Sequence, residues 1–180
     1  MQKNKLQISV LKWLQGDVNA FSVVYDYYID RIYRFIYFKA PASEAEDLTE
    51  EVFLKVMQKK DTFDPQKSAF STWIYTIARN TVIDFLRSNK PVLELHEYVA
   101  DTKESSHTAY KAEKSLQEEN LKKALATLPK NKQDIVILRF IDELSYEEIA
   151  EILGKSAGSV RITMMRTLRD LRKVLEKLET

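Results

Sequence analysis

The chain has 180 residues, no cysteine, 44% apolar residues and a formal net charge of +1. Without cysteine neither a disulfide framework nor a thiolate metal site can form, and a reducing compartment suits such a chain. No apolar signal core opens the sequence and no uncharged run of about 18 residues interrupts it, so the expectation is a soluble cytoplasmic protein without membrane insertion.

Three glycines and four prolines leave little punctuation for hairpins. Apolar residues instead recur at spacings of three and four, which predicts an all-α fold. A first helix is expected around Leu6 to Leu14. Asp17 can cap a second, from Val18 to about Lys39, with Phe21, Val24, Tyr25, Tyr28, Ile32, Phe35 and Ile36 on one face. Pro41 ends it. Ser43 opens a third, with Glu46 at the capping-box position and Leu48, Val52, Phe53 and Val56 as its buried stripe. After the turn TFDPQK, a fourth runs from about Ser68 to Ser88 with Phe70, Ile74, Ile77, Thr81 and Phe85 toward the core.

Charge then divides the chain: +2 over residues 1–90, −4 over 91–120 and +3 over 121–180. The acidic middle begins at Pro91 and carries no sustained apolar period until about Leu116. Two helical domains are therefore expected, 1–90 and 116–180, joined by a flexible linker over 91–115. The second domain reads as four helices: Leu116 to Leu128, Pro129 to about Ile141, and the two within LSYEEIAEILGKSAGSVRITMMRTLRDLRK.

In that last stretch Ser145 and Glu148 form a capping box, and Leu144 with Ile149 form a hydrophobic staple. Ala150, then Gly154 four residues on, then Val160 six further, meet the needs of a helix-turn-helix. A small residue allows close crossing, the glycine turns the chain and the valine fills the angle. Ser156 would cap the second helix, with Val160, Met164, Leu168 and Leu171 inward and Gly158, Ser159, Arg161, Ile162, Thr163, Met165 and Arg166 outward. Asp142, Glu143, Glu147, Glu148 and Glu151 make the first helix acidic, whereas Lys155, Arg161, Arg166, Arg169, Arg172, Lys173 and Lys177 make the second basic. Only the second suits a polyphosphate. Small residues at its start and donors beyond fit a major groove.

The helix near Ser68 to Ser88 carries Trp73, Thr76, Arg79, Asn80, Asp84 and Arg87 on flanking faces, after a loop with Phe63, Asp64, Gln66 and Lys67. Rings stack on unpaired bases while amides and carboxylates read their edges. Taken together, SEAEDLTEEVFLKVMQ, FDPQKSAFSTWIYTIARNTVIDFLRS and the C-terminal helix-turn-helix resemble the bacterial extracytoplasmic-function sigma factors of the sigma-70 family, over nearly the whole chain. The resemblance implies a region 2 bundle and a region 4 module in a protein that joins core RNA polymerase and opens promoter DNA. It implies contact with a minus-35 element through Lys155, Ser156, Ser159, Arg161, Thr163 and Arg166. It points the minus-10 element to Phe63, Asp64, Lys67, Ser68, Phe70, Trp73, Asn80 and Asp84. For core polymerase it points to Asp47, Glu50, Glu51 and Phe53, against the clamp helices of the largest subunit, with the flap of the second subunit as a further contact. An anti-sigma factor is an expected partner; no cofactor, metal or catalytic residue is implied. Where family members often carry Ser-Arg after the first cation of the recognition helix, this chain has Ile162 and Thr163, so no promoter consensus is carried over.

Two other classes of protein share some of these features. Glu44, Glu46, Asp47, Glu50 and Glu51 share helix faces in the manner of nuclease metal ligands, but acids in a first turn also favour the helix dipole, and the only histidines, His96 and His107, fall in the linker. A helix-turn-helix regulator that does not join polymerase would need a receiver or ligand-binding domain upstream, and residues 1–90 show no strand pattern.

Overall fold

The computed structural model describes residues 2–88 and 114–178, with side chains over 4–88 and 119–176. His96, His107 and all but the last two residues of the expected linker lie outside the described residues, as do the side chains of Leu116 and Lys177. The described residues fall into two units and contain eight α-helices and no strand.

The first unit holds α1 (Gln2–Leu14), α2 (Ala20–Tyr37), α3 (Ala45–Gln58) and α4 (Phe70–Ser88). α2 packs against α1, α3 and α4, and α3 against α4. Its core holds most of the predicted stripes, with Val24, Ile32, Phe35 and Ile36 of α2, Val52 and Val56 of α3 and Ile74 of α4 fully buried. They are joined by Ala78 and Val82, which lie outside the predicted stripe, whereas Tyr25 is exposed and Phe85 half-buried. Each large apolar side chain removed from water in this way contributes about 1.5–3 kcal/mol. A polar tie joins α3 to α4, where Lys55 Nζ donates to Thr81 Oγ1 at 3.1 Å and pairs with Glu51 at 2.6 Å.

The starts of α2 and α3 differ from expectation in ways their caps explain. α2 begins at Ala20, two residues after Val18, yet Asp17 still serves it: Oδ1 accepts from the amides of Asn19 (3.0 Å) and Ala20 (3.2 Å). The capping box expected from Ser43 and Glu46 does not form. After Pro41 the chain enters α3 through a 3-10 turn, Ala42–Glu44, in which the Glu44 amide already reaches the Pro41 carbonyl at 3.1 Å. With the amides engaged by backbone, Ser43 turns to the Glu44 carboxylate instead.

The second unit holds α5 (Lys114–Ala126), α6 (Lys130–Phe140), α7 (Tyr146–Leu153) and α8 (Ala157–Leu178), with α8 packed against the other three. Pro129 precedes α6 rather than lying inside its first turn, and its carbonyl accepts from Lys132 and Gln133. Lys132 also reaches across to Asp170 of α8 at 2.9 Å, which holds the Asp170 carboxyl below its usual range.

Candidate nucleic-acid interface

The turn between α7 and α8 forms as its residues require. Ser145 Oγ accepts from the Glu148 amide at 3.1 Å, and the Glu148 carboxylate accepts from the Ser145 amide at 2.9 Å, closing the capping box. Gly154 stands in the left-handed region at φ 61°, ψ 40°, and the Lys155 amide then reaches back to the Ala150 carbonyl at 2.8 Å. Ser156 Oγ accepts from the Ser159 amide at 3.2 Å and starts α8.

On α8 the inward positions are Val160, Met164, Thr167 and Leu171, all buried. Thr167 takes the place expected of Leu168, which is 38% exposed. The hydroxyl survives burial because it donates to the Thr163 carbonyl at 2.8 Å. Lys155, Ser156, Ser159, Arg161 and Arg166 are all exposed, as are Arg169, Arg172 and Lys173. Thr163 is half-buried and its hydroxyl donates to the Ser159 carbonyl at 2.8 Å, so its proton is already used. Arg161 pairs with Glu147 of α7 at 2.8 Å and lies over the Tyr146 ring, whose environment also includes Arg139. Both partners of that pair are more than half exposed, so it is weak enough for a phosphate to replace Glu147.

In the first unit Phe63 and Phe70 are buried, at 8% and 9% exposure. Phe70 thus lies toward the core as its helical stripe predicts, and Phe63 of the preceding loop joins it there. They meet edge to face at 5.3 Å, and Phe70 packs on Trp13 and Tyr28 besides, because a ring beside an open core gains more from burial than from water. Trp73 is half-buried with one side against both phenylalanines, at 5.2 and 5.5 Å. Asn80 and Asp84 are exposed about two and three turns further along the same face of α4, given its period of about 3.6 residues. In the preceding loop Asp64 Oδ1 accepts from the Gln66 amide at 2.9 Å and Oδ2 pairs with Lys67 at 3.3 Å; these two contacts hold its carboxyl below the usual range. Lys67 is exposed and Ser68 half-buried.

On α3, Asp47, Glu50 and Glu51 are exposed, whereas Phe53 is 5% exposed with its ring 4.7 Å from that of Tyr25. Phe53 is thus a core residue, as the buried stripe predicted, and the acids beside it form the exposed side. Sequence reasoning passed over Leu54 and Met57, which are 59% and 52% exposed on the acidic side of the helix. The signal was there, since both lie outside the apolar stripe that Val52 and Val56 define. Among the described residues no three acidic, histidine or cysteine side chains converge as metal ligands would, and no helix is long and apolar enough to cross a membrane.

A helix-turn-helix unit with a cationic second helix, preceded by a separate helical bundle, defines a DNA-recognition protein of two parts. The family models for sigma-70 region 2 and sigma-70 region 4 match residues 24–92 and 118–171. The chain is 35% identical over 163 residues to the ECF RNA polymerase sigma factor BldN of Streptomyces coelicolor, covering 89% of this chain and 62% of BldN. It is 34% identical over 175 residues to the ECF RNA polymerase sigma factor SigW of Bacillus subtilis, covering 91% of this chain and 93% of SigW. The fold matches that of the sigma factor RpoE solved with the anti-sigma factor NepR from Bartonella quintana, at TM-score 0.71 and 24% identity over 88% of this chain and 98% of that one. The chain belongs to the ECF RNA polymerase sigma factors.

Proposed function

We propose that this chain docks on core RNA polymerase, reads a minus-35 element with α8 and captures an unpaired base of the minus-10 element beside α4 as the duplex opens. The observation that carries the reading is the coexistence of two different surfaces in one chain. α8 presents an exposed cationic face behind a tight turn, which suits intact duplex. α4 aligns Trp73, Asn80 and Asp84 along one face, which suits a base out of its stack. A regulator that bound only duplex would need the first surface and not the second.

On α8, Lys155, Ser156, Ser159, Arg161 and Arg166 are the exposed candidates for the minus-35 element; Thr163 contributes its methyl and backbone geometry. For the minus-10 element the surface candidates are Asp64, Lys67, Ser68, Trp73, Asn80 and Asp84, with Phe63 and Phe70 as the floor under Trp73. For polymerase, the acids Asp47, Glu50 and Glu51 surround exposed Leu54 and Met57, a surface matched to basic and apolar helices such as those of the clamp. The second unit is assigned to the flap of the second subunit. The solved relative bound to an anti-sigma factor supports such a partner here too. The role is recognition and opening of DNA, without catalysis of its own and without a cofactor.

The test is reconstitution with core polymerase stripped of other specificity subunits, on genomic DNA. Transcripts with defined starts that depend on this chain are expected; DNA binding without polymerase association would instead support a free-standing regulator.

A further inference from the structure

We infer that Ile162 and Met165 are specificity residues that read the C5-methyl groups of thymines in the upstream element, an inference that rests on the reading of α8 just given. At about 100° per residue, Ile162 points about 190° away from the mean direction of the buried residues Val160, Met164, Thr167 and Leu171. It is the crest of the helix. It is 54% exposed, and Met165, one turn on, is 70% exposed. The residues around this pair are Gly158, Arg161, Arg166 and Arg169, all exposed. Apolar side chains at the crest of a helix are costly in water unless something covers them, and a ring of cations selects a polyanion as that cover.

The hydrogen-bonding alternatives on this face are few. The Thr163 hydroxyl donates to the Ser159 carbonyl, and Gly158 has no side chain. An isoleucine and a methionine offer no donor or acceptor of use to a base edge. In a major groove the one apolar feature among the base edges is the thymine methyl. Ile162 and Met165 therefore favour T·A or A·T pairs at the positions they reach, while Arg161 and Arg166 supply phosphate or guanine contacts to either side. Gly158, preceding Ile162 by one turn, has open space at its missing Cβ, which lets the crest approach closely.

The experiment uses the full chain with core polymerase and a promoter mapped in the reconstitution above. Its upstream duplex is synthesised with thymine or, one position at a time, with deoxyuridine, which pairs alike and lacks only the methyl. The wild-type holoenzyme is expected to lose about fourfold in affinity at one or two positions, as befits one methyl removed from apolar contact. The variants Ile162→Ala and Met165→Ala, both at exposed positions, are each expected to bind the thymine and deoxyuridine forms of their own position equally. Equal binding of all duplexes by the wild type, or a thymine preference that persists in the double variant, overturns the inference. If initiation on thymine DNA is intact in that case, the sigma-factor reading stands and only the methyl contacts fall; if the chain supports no initiation, both fall.

Discussion

Arg166 is exposed on α8 with no acid of α7 beside it among the ion pairs of that turn, whereas Arg161 is held by Glu147. Arg166→Ala should therefore lower promoter affinity and reduce the slope of log affinity against log salt by roughly 0.9, one phosphate contact. Filter binding or fluorescence anisotropy over a salt series measures it; an unchanged slope means the guanidinium makes no such contact. Lys122 is of another kind, a lysine only 7% exposed whose pKa burial pulls down to about 8. Below that pH both folded and unfolded chains hold the proton, and the folded one bears the cost of a buried ammonium. Between about 8 and the ordinary value of 10.5 the unfolded chain binds more protons, so stability rises with pH across that window. Urea denaturation should show the second unit gaining on the order of 1–2 kcal/mol from pH 7 to about pH 9.5, and Lys122→Met should flatten that gain. Parallel curves for the two proteins would contradict it.

The helices were legible wherever a local signal and the tertiary environment agreed. Ser145, Glu148, Gly154 and Ser156 act within one or two turns of themselves, and each forms the contact its sequence position predicts. The start of α3 was misread because Pro41 and the 3-10 turn satisfy the backbone that Ser43 would have capped. The inward register of α8 was misread at Leu168 because hydropathy cannot foresee that a threonine will be satisfied by its own helix and take the buried place. Phe53, Phe63 and Phe70 show the same ambiguity, since an aromatic fit to grip a base or a partner is equally fit to fill a core. At Gly154 an added Cβ meets nothing within 4 Å, so substitution acts through backbone conformation alone. Gly154→Ala should cost the second unit about 1–2 kcal/mol, and Gly154→Asn distinctly less, because asparagine tolerates the left-handed region. Thermal or urea unfolding of the two variants checks the order; equal losses would mean that φ 61° is not what the turn requires.

Across the whole molecule the division into two units followed from charge and periodicity, while the placement of individual contact residues did not. The first unit presents acids and exposed leucine and methionine on α3 and a mixed aromatic and polar face on α4; the second presents cations on α8. These surfaces differ because their proposed partners differ: protein, unpaired base and intact duplex. If that assignment is right, polymerase association and DNA opening must be separable by mutation. The most direct measurement is permanganate reactivity of promoter thymines with core polymerase alone, with the wild-type chain and with Asn80→Ala. Reactive thymines should appear only when the chain is added and should weaken sharply with Asn80→Ala while polymerase association is unchanged. Opening that is equal for wild type and variant, or no opening with either, would contradict the account.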